Sequence, residues 1–471
     1  MAQLELGDLQ GIVVRGYGSL PAARYLVLRI DDSVAARGWL REVEGMVTPG
    51  DRKPDDLSFH IAFTCGGLRA LGLDEGTLAS FSREFWEGMH APHRARNILG
   101  DRDASAPVEW RWGGADAHVL LLLYARDTDT LEALHRQVGE TYAGVTEIQS
   151  LETYSFESSR EHFGFNDGIA QPVIRGLSKS GPPENTLSPG EFILGYPNEY
   201  GKLPSAPRVA RAQDPAELLP RVRSEEGEEG EEEADLGRNG TYLVFRQLSQ
   251  NVRAFWRFVD ETTHLADGTS DHDARTRMAA KMVGRWPSGA PLTLCPNADD
   301  PGQSTRNDFG YRASDLFGDG CPVGAHIRRT NPRDALDGKP EESITVANRH
   351  RILRRGRPYG APVSRTMDVD EILAFEQEHG EVGLHFICIN ADIGRQFEFI
   401  QHTWINNAKF GGLYSDADPI MGHHDKLQSS FTVQGAPVRM RITNLQRFVE
   451  VRGGAYFFLP GLRALRFIAD G

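Results

Sequence analysis

The feature that most constrains the fold of this 471-residue chain is an internal repeat. The run YLVLR begins at Tyr25 and is followed by a segment that ends at Trp39. The run YLVFR begins at Tyr242 and is followed by a segment that ends at Trp256. Each copy combines a short apolar run typical of a strand with a segment that reads as a helix. The repeat therefore indicates two related strand–helix units in different halves of the chain.

A second pair of segments supports the same interpretation. HVLLLLYARDTDTLEALHR begins at His118, and LHFICINADIGRQFEFIQ begins at Leu384. Each contains an apolar strand run, a polar turn with an aspartate and a segment of helical periodicity. Two copies of a strand–helix–strand unit predict an α+β fold of two halves, in which antiparallel sheets carry their helices on one face. A further strand is predicted at 11–17, GIVVRGY.

One strongly acidic segment lies near the join of the two halves. Ser224–Asp235 (SEEGEEGEEEAD) holds eight acidic residues, most of the net charge of −14, and no apolar side chain larger than alanine. Because like charges repel and the segment has little to bury, we expect a solvated loop or linker. The predicted organisation is an N-terminal half over 1–220, an acidic insert or linker over 221–236 and a C-terminal half over 237–471.

Composition excludes several classes of protein. Hydrophobic residues make up 39% of the chain, and no apolar run approaches the ~18 residues of a membrane helix. The acidic charge balance argues against a nucleic-acid binder. Four widely spaced cysteines without CxxC spacing exclude a disulfide scaffold or zinc ribbon and fit a reducing compartment. The start of the chain lacks the pattern of an export signal, so we expect a cytoplasmic protein with neither membrane nor nucleic-acid partners.

The motifs of common enzyme classes are missing from the sequence. It contains no HExxH zinc motif, no GxSxG elbow, no Walker A loop and no GxGxxG fingerprint. The hydrolase, NTPase and Rossmann interpretations therefore have no support. The stretch 265–320 is rich in Gly, Pro, Asp and Asn, and a connection that long and structureless is predicted to be functional or to wrap a site.

Three other segments could carry chemistry. Gly164–Gly168 (GFNDG) brackets an aspartate with glycines, which suits a tight turn, although an ordinary Asx turn has the same pattern. Cys321–Arg333 (CPVGAHIRRTNPR) places one histidine before a dense cationic group, which a core histidine beside a basic surface would also explain. Arg354–Gly360 (RRGRPYG) is cationic and fits a basic surface turn as well.

Taken together and in this order, the three segments resemble the dye-decolorizing peroxidase family. GFNDG is similar to that family's GxxDG motif, HIRRTNPR to its proximal-histidine segment and RRGRPYG to its distal-arginine segment. The opening DLQGIVVRGYG and the late FICINADIGRQFEFIQHTW are also similar, so the resemblance spans nearly the whole chain. The long central region and the RxG form of the arginine motif look like the larger branches of the family. The resemblance implies two ferredoxin-like halves with one haem b per chain, held mainly by the second half.

The resemblance also implies roles for residues in these motifs. Asp167 would move the proton of bound hydrogen peroxide as base and then acid. Arg354 would stabilise charge as the O–O bond breaks, with its neighbour Arg355 as the assignment if the match is shifted by one residue. His326 would be the axial iron ligand through one ring nitrogen. The other cofactor-binding residues implied are Gly168, Ile169, Arg333, Leu384 and Phe386.

Several assignments remain open in the sequence. The acceptor for the second nitrogen of the axial histidine is one of four carboxylates: Asp392, Glu398, Asp416 or Asp418. Arg328 and Arg329 are alternatives to Arg333 as partners of the haem propionates. Tyr359 and Trp404 are candidates to relay electrons from bulky donors, and plain packing explains both residues equally.

The function implied is that of a haem peroxidase that uses hydrogen peroxide to oxidise dyes, phenols or similar aromatic donors. The alternative is a non-catalytic haem-binding or haem-transfer protein on the same scaffold. A carrier needs His326 but has no use for Asp167 or Arg354. A haem-free α+β binding module would leave the pattern of His326 and Arg333 unexplained.

Overall fold

The structure is a computed structural model, and it describes residues 3–157, 159–177, 181–223, 232–364, 366–375, 379–424 and 429–470. The strands within these ranges are β1 (Ala22–Ile30), β2 (Leu57–Phe63), β3 (Val119–Ala125), β4 (Val145–Glu152), β5 (Val173–Ile174), β6 (Thr186–Leu187), β7 (Arg208–Ala210), β8 (Arg221–Arg223), β9 (Glu232–Asp235), β10 (Thr241–Gln250), β11 (Leu353–Arg354), β12 (Arg357–Tyr359), β13 (Gly383–Asn390), β14 (Ser430–Val433), β15 (Met440–Thr443) and β16 (Val449–Leu459).

The α-helices are α1 (Gly11–Val14), α2 (Ser33–Val43), α3 (Cys65–Ala70), α4 (Glu75–Ala79), α5 (Arg83–Glu87), α6 (Thr128–Glu140), α7 (Val252–Thr262), α8 (His272–Val283), α9 (His326–Thr330), α10 (Pro340–Asn348), α11 (Val369–Ala374) and α12 (Leu462–Asp470). Short 3-10 helices lie at Glu44–Met46, Asp103–Ser105, Pro107–Glu109, Pro183–Asn185, Pro189–Glu191, Arg211–Gln213, Pro301–Gln303 and Phe410–Gly412. Three π-helical segments lie at Arg94–Leu99, Gly394–Glu398 and Ile400–Ile405.

The two halves contain the same antiparallel sheet. The N-terminal half has the order β4-β1-β3-β2, and the C-terminal half has the equivalent order β16-β10-β13-β11, with β12 also paired to β13. In each half the first strand lies between the third and the fourth, which is the ferredoxin-like arrangement. The edges meet where Phe458 of β16 pairs with Phe63 of β2, so one nine-stranded sheet runs through the described part of the chain. The predicted α+β class with two ferredoxin-like halves is confirmed.

The internal repeat maps onto equivalent elements. YLVLR lies in β1 and YLVFR in β10, and the segments that follow form α2 and α7. Both helices begin with a polar cap: the Asp32 carboxylate accepts from the N–H of Val34, and the Asn251 side chain accepts from the N–H of Ala254. The second pair of segments forms β3 with α6 and β13 with the π-helical segments from 394 to 405.

Hydrophobic side chains pack on both faces of the continuous sheet. On one face, β1 and β3 pack against α2 and α6 through residues such as Leu26, Trp39 and Leu134. On the other face, residues that include Tyr25 and Phe245 are covered by loop segments from 4–20 and 174–196. A third core surrounds α7 and α8 in the C-terminal half. This arrangement leaves the cavity described below beside the sheet face of β10 and β13.

Three local predictions are wrong. Gly11–Val14 is the helical turn α1 rather than a strand, and its apolar residues Ile12 and Val13 are buried there without strand pairing. The stretch 265–320 is not structureless, because α8 lies within it. Glu232–Asp235 forms β9 between β7 and β8, with Asp235 and Ala234 buried, so this end of the acidic run is not a solvated loop. The rest of that run, 224–231, lies outside the described residues.

Two further observations concern the expectations from composition. The four cysteines are free, so no disulfide joins them. Among the described ranges, no helix is both long and apolar enough to cross a membrane.

Candidate active site

A cavity of about 270 Å³ lies in the C-terminal half against the loop that carries GFNDG. One wall is the sheet face formed by alternate residues of β10 and β13, including Leu248, Leu384 and Phe386. The opposite side includes His326 at the start of α9 and side chains of the π-helical segment Ile400–Ile405. Most of the lining is apolar, and a few charged side chains converge on it, as is typical of a ligand site.

Asp167 lies at this cavity on a tightly closed loop. Its N–H donates to the carbonyl oxygen of Ser159 at 2.8 Å, and Arg160 forms a bridge with Asn166. Gly164 and Gly168 have φ values of +95° and +80°, which L side chains rarely adopt, so the two glycines allow the chain to turn around the aspartate. Gly168 itself does not line the cavity. The loop therefore presents the carboxylate to the cavity, as the motif predicts.

Arg354 pairs with Asp167. Its Nη1 donates to Oδ1 of Asp167 at 2.7 Å, and its backbone N–H donates to Oε1 of Gln171. The arginine belongs to β11, where it pairs with Cys388 of β13. Desolvation acts to raise the pKa of Asp167, but the charge and hydrogen bond of Arg354 outweigh it and hold that pKa below its usual value. The carboxylate is therefore ionised and oriented.

His326 is the histidine that reaches the same cavity. Its Nδ1 donates to Oδ2 of Asp418 at 2.9 Å, and the side chain of Asp418 is fully buried. Desolvation lowers the pKa of His326, but the adjacent carboxylate of Asp418 has the larger effect and raises it. No hydrogen-bond partner for Nε2 is found among the described residues, and the imidazole lines the cavity. This geometry suits a metal ligand whose orientation is set by a carboxylate.

The other three carboxylates that the sequence left open have different partners. Asp392 pairs with Arg395, and Glu398 pairs with Arg94. The Asp416 carboxylate accepts from Ser430 Oγ and from the N–H of Thr432. The structure thus places Asp418, and none of the other three, against the histidine.

Arg333 lines the cavity together with two arginines that the motifs did not indicate. Arg333 donates to the carbonyl oxygens of Asn307 and Phe309, at 2.8 and 2.9 Å. Arg285 and Arg351 are buried and also line the cavity. Desolvation lowers the pKa of Arg285 to about 10 and that of Arg351 to about 9.

The hydrogen bonds of these arginines go to neutral acceptors. Arg285 donates to the carbonyl oxygens of Gly289 and Arg306, and Arg351 donates to the carbonyl oxygen of Ala170 and to Oδ1 of Asn185. No carboxylate forms an ion pair with Arg285, Arg333 or Arg351 within the residues that the structure describes. Because buried charges are ordinarily paired, this group of cations fits an anionic ligand.

Other predicted residues lie as follows. Leu384 and Phe386 line the sheet wall as expected from their alternation, and Ile169 lines the loop side. Arg355 turns away and donates to the carbonyl oxygens of Ile12 and Val13. Arg328 and Arg329 are held by protein acceptors, among them the carbonyl oxygens of Cys321 and Trp404. Neither arginine lines the cavity.

The two candidate relay residues lie outside the cavity lining. Tyr359 stacks on His385 with 4.5 Å between ring centroids, and Trp404 contacts His350 edge to face at 5.2 Å. Both side chains are buried. A role in electron transfer stays a prediction for each.

Sequence reasoning missed several polar residues of the lining, among them Glu161, Arg285, Tyr311 and Arg351. Glu161 lies three residues before Gly164, and its nearness to the GFNDG motif is the one signal that the sequence offers. Arg285 and Tyr311 come from the Gly- and Pro-rich stretch that was predicted to wrap a site. Within the described residues, no group of three or more His, Cys, Asp or Glu side chains could hold a metal ion by itself. An iron held by His326 would therefore need a cofactor for its other ligands.

Comparisons with known proteins identify relatives over nearly the whole chain. No protein-family model matches the chain. The multifunctional dye peroxidase DyP2 of an Amycolatopsis species is 33% identical over 464 residues, covering 94% of this chain and 91% of that protein. A dye-decolorizing peroxidase of Exidia glandulosa is 29% identical over 488 residues, covering 99% of this chain and 87% of the relative.

Solved structures give the same result. A dye-decolorizing peroxidase in complex with 2,6-dimethoxyphenol superposes with a TM-score of 0.78 and 27% identity, covering 99% of this chain and 100% of the other. The shared fold and the names of these relatives define a peroxidase, of a class that depends on haem. The chain belongs to the dye-decolorizing peroxidase family.

Proposed function

We propose that this peroxidase binds haem b in the cavity, with Nε2 of His326 as the axial iron ligand. The support is that His326 and the Asp167–Arg354 pair line one cavity, and that Asp418 holds the histidine through Nδ1. Haem also carries two propionates, and these would supply the anions that Arg285, Arg333 and Arg351 lack. Leu384, Phe386 and the other apolar lining residues suit the faces of a porphyrin. The donor set thus fits haem.

When bound, haem would supply the iron centre for two reactions, the reduction of hydrogen peroxide and the oxidation of the aromatic donors. On the protein side, the carboxylate of Asp167 accepts the proton of hydrogen peroxide and returns it to the departing oxygen. Oδ1 of Asp167 is held by Arg354, so we assign the proton transfer to Oδ2. The guanidinium of Arg354 stabilises negative charge that develops beside it.

Aromatic donors such as dyes and phenols are the proposed reducing substrates. One related structure contains 2,6-dimethoxyphenol, and the relatives are named as peroxidases of dyes. The alternative of a non-catalytic haem carrier is not favoured by these comparisons, and it gives the Asp167–Arg354 pair no role. We also propose that the protein is cytoplasmic, on the basis of its free, widely spaced cysteines.

The experiment that tests the site is an absorption spectrum of the purified protein and of a His326→Ala variant. We expect a Soret band in the wild type and its loss or a changed ferric spectrum in the variant. His264→Ala is the matched control, because His264 also donates to an aspartate, Asp260, at 2.9 Å but lies away from the cavity. Normal haem binding with an unaltered spectrum in His326→Ala would refute the ligand assignment. Oxidation of 2,6-dimethoxyphenol by the wild type with hydrogen peroxide tests the substrate class.

A further inference from the structure

Glu161 is a carboxyl group in the cavity lining that the proposed chemistry does not use. It lies six residues before Asp167, at the start of the same loop. Its Oε2 accepts from the N–H of Phe163 at 2.9 Å, and its Oε1 accepts from the N–H of Phe165 at 3.1 Å. Its own N–H donates to the carbonyl oxygen of Phe165. One side chain therefore closes the turn that leads to Asp167.

The same carboxyl group joins this loop to the sheet. Oε2 of Glu161 also accepts from Nε2 of Gln250 at 2.7 Å. Gln250 is the last residue of β10, and its N–H donates to the carbonyl oxygen of Val382. The loop that carries Asp167 is thereby attached to the strand layer that forms one wall of the cavity. This attachment acts together with other contacts of the loop, because the N–H of Asn166 donates to the carbonyl oxygen of Pro287 and Nε1 of Trp256 donates to that of Phe163.

We propose that Glu161 is a positioning residue of the peroxide site, which fixes the Asp167 loop against β10 through Gln250. The inference rests on the proposed role of Asp167. It adds a residue that does not touch the peroxide and acts through the placement of the Asp167 carboxylate. Misplacement of a reacting group by about 1 Å can cost ~10²-fold in rate, so a hydrogen-bonded brace of this kind has a measurable effect.

The charges around Glu161 predict a second measurable effect, a dependence of the reaction on pH. Desolvation raises the pKa of Glu161 to about 7, with a further contribution from the charge of Asp167 on the same loop. Within the described residues, the other charged or titratable groups of the lining include Arg354, which pairs with Asp167, and Arg246 of β10. The lining also contains His326, Arg285, Arg333 and Arg351. The neighbouring His162 donates to the carbonyl oxygen of Tyr359. Ionisation of Glu161 therefore changes the field at Asp167 near neutral pH.

The test compares Glu161→Gln in two backgrounds. In the haem-loaded wild type, the substitution should slow the reaction with hydrogen peroxide by about 10- to 100-fold, because an amide cannot accept from all three donors. In an Asp167→Asn background it should cause no further loss, because a positioning residue acts only through the group it positions. Equal losses in both backgrounds would overturn the proposal in favour of a general structural effect.

Two further measurements separate the proposal from loss of stability. Hydrogen exchange of the loaded full-length chain should become at least tenfold faster in peptides that cover 159–169. The pH–rate profile should lose an inflection near pH 7 that the wild type shows. Asp214→Asn is the matched control, because the buried carboxylate of Asp214 likewise accepts from two backbone N–H groups, those of Leu218 and Leu219, far from the cavity. It should leave both readouts unchanged.

The outcomes also separate this proposal from the assignment of Asp167. If Asp167→Asn reacts with peroxide at the wild-type rate, the proposed role of Asp167 fails. If Asp167→Asn is slow while Glu161→Gln reacts normally and exchanges normally, the role of Asp167 stands and that of Glu161 is refuted.

Discussion

The Nδ1 atom of His326 donates a hydrogen bond to Oδ2 of Asp418 over 2.9 Å, although the two residues are 92 positions apart. The buried carboxylate is fixed in turn, because its Oδ1 accepts from the N–H groups of Ile420 and Met421. Burial acts to raise the pKa of Asp418, but the interaction with His326 outweighs it and lowers that pKa. The imidazole is thus held with Nε2 available to a ligand on the cavity side.

Replacement of Asp418 by Asn tests this relationship. The amide keeps the volume but removes the negative charge that increases the basicity of the imidazole. Loss of a partner of a metal-bound histidine typically costs ~10–100-fold in metal affinity, and we expect a loss in that range for haem. The reduction potential of the loaded protein should also rise, because a less basic ligand stabilises ferric iron less. Haem titration and potentiometry measure the two effects.

Asp416→Asn is the control for that experiment. The carboxylate of Asp416 is buried in the same segment but accepts from Ser430 and Thr432. An equal loss of haem affinity in this variant would show that the effect does not pass through His326.

Replacement of an arginine that has no carboxylate partner is predicted to have opposite effects on the stability of the apoprotein and on its affinity for haem. Arg351→Met removes a buried cation whose hydrogen bonds go to neutral acceptors. Replacement of buried ion pairs by apolar side chains is often neutral or stabilising by ~1–4 kcal/mol. Arg351 carries the desolvation cost of a buried charge without the attraction of a carboxylate partner, so the unfolding midpoint of the apoprotein should rise or stay constant. Haem affinity should fall, since one partner of a propionate is lost. Arg257→Met, on the exposed side of α7, should change neither quantity.

At the C-terminal end of the acidic run, the buried residues are predicted to contribute to stability and the exposed ones are not. Ala234 and Asp235 of β9 are buried, and β9 pairs with both β7 and β8. Deletion of Glu232–Asp235 should therefore lower the melting temperature, whereas Glu232→Gln at the exposed start of the strand should have little effect. Thermal unfolding of both variants measures this. An unchanged melting temperature in the deletion would restore the interpretation of the whole run as a solvated linker.

Much of the fold could be predicted because repetition and alternation are local properties of the sequence. The YLVLR and YLVFR runs mark β1 and β10, and alternation placed Leu384 and Phe386 on one face. The motif order indicated Asp167, His326 and Arg354, and the structure brings all three to one cavity. The division at 221–236 and the roles of these residues stay predictions.

The remaining features depend on contacts that no local pattern records. The sequence does not show whether Asp416 or Asp418 accepts from His326, because that depends on which of the two carboxylates the folded chain turns toward α9. Arg285 and Arg351 carry no motif and meet only in the folded chain. The α1 turn replaces the predicted strand because it already buries the side chains of Ile12 and Val13. Their β-branched side chains do not require strand pairing.

The raised pKa of Glu161 predicts how apoprotein stability depends on pH. The pKa is about 7 in the folded protein, against the ordinary value of 4.5 for a glutamic acid, so between these values the folded state binds more protons than the unfolded state. Stability must then decrease as pH rises from about 4.5 to about 7. Glu161→Gln should flatten this part of the profile. Denaturant unfolding of the apoprotein at several pH values provides the measurement, and an identical slope in both proteins would contradict the assignment.

The last prediction concerns Asp167 and Arg354, which distinguish an enzyme from a haem carrier. Asp167→Asn removes the carboxylate that accepts a proton but keeps its size, and a positioned acid–base group contributes ~10²–10⁴-fold. The rate of reaction with hydrogen peroxide, followed at the Soret band by stopped flow, should fall by about that range. Arg354→Leu should also slow it, because the cation that lies 2.7 Å from the Asp167 carboxylate is lost. Both variants should retain haem, since His326 and Asp418 are unchanged, as are the proposed propionate partners Arg285, Arg333 and Arg351. Wild-type rates in both variants would refute the assigned pair, and a haem-loaded wild type without peroxidase turnover would favour the carrier.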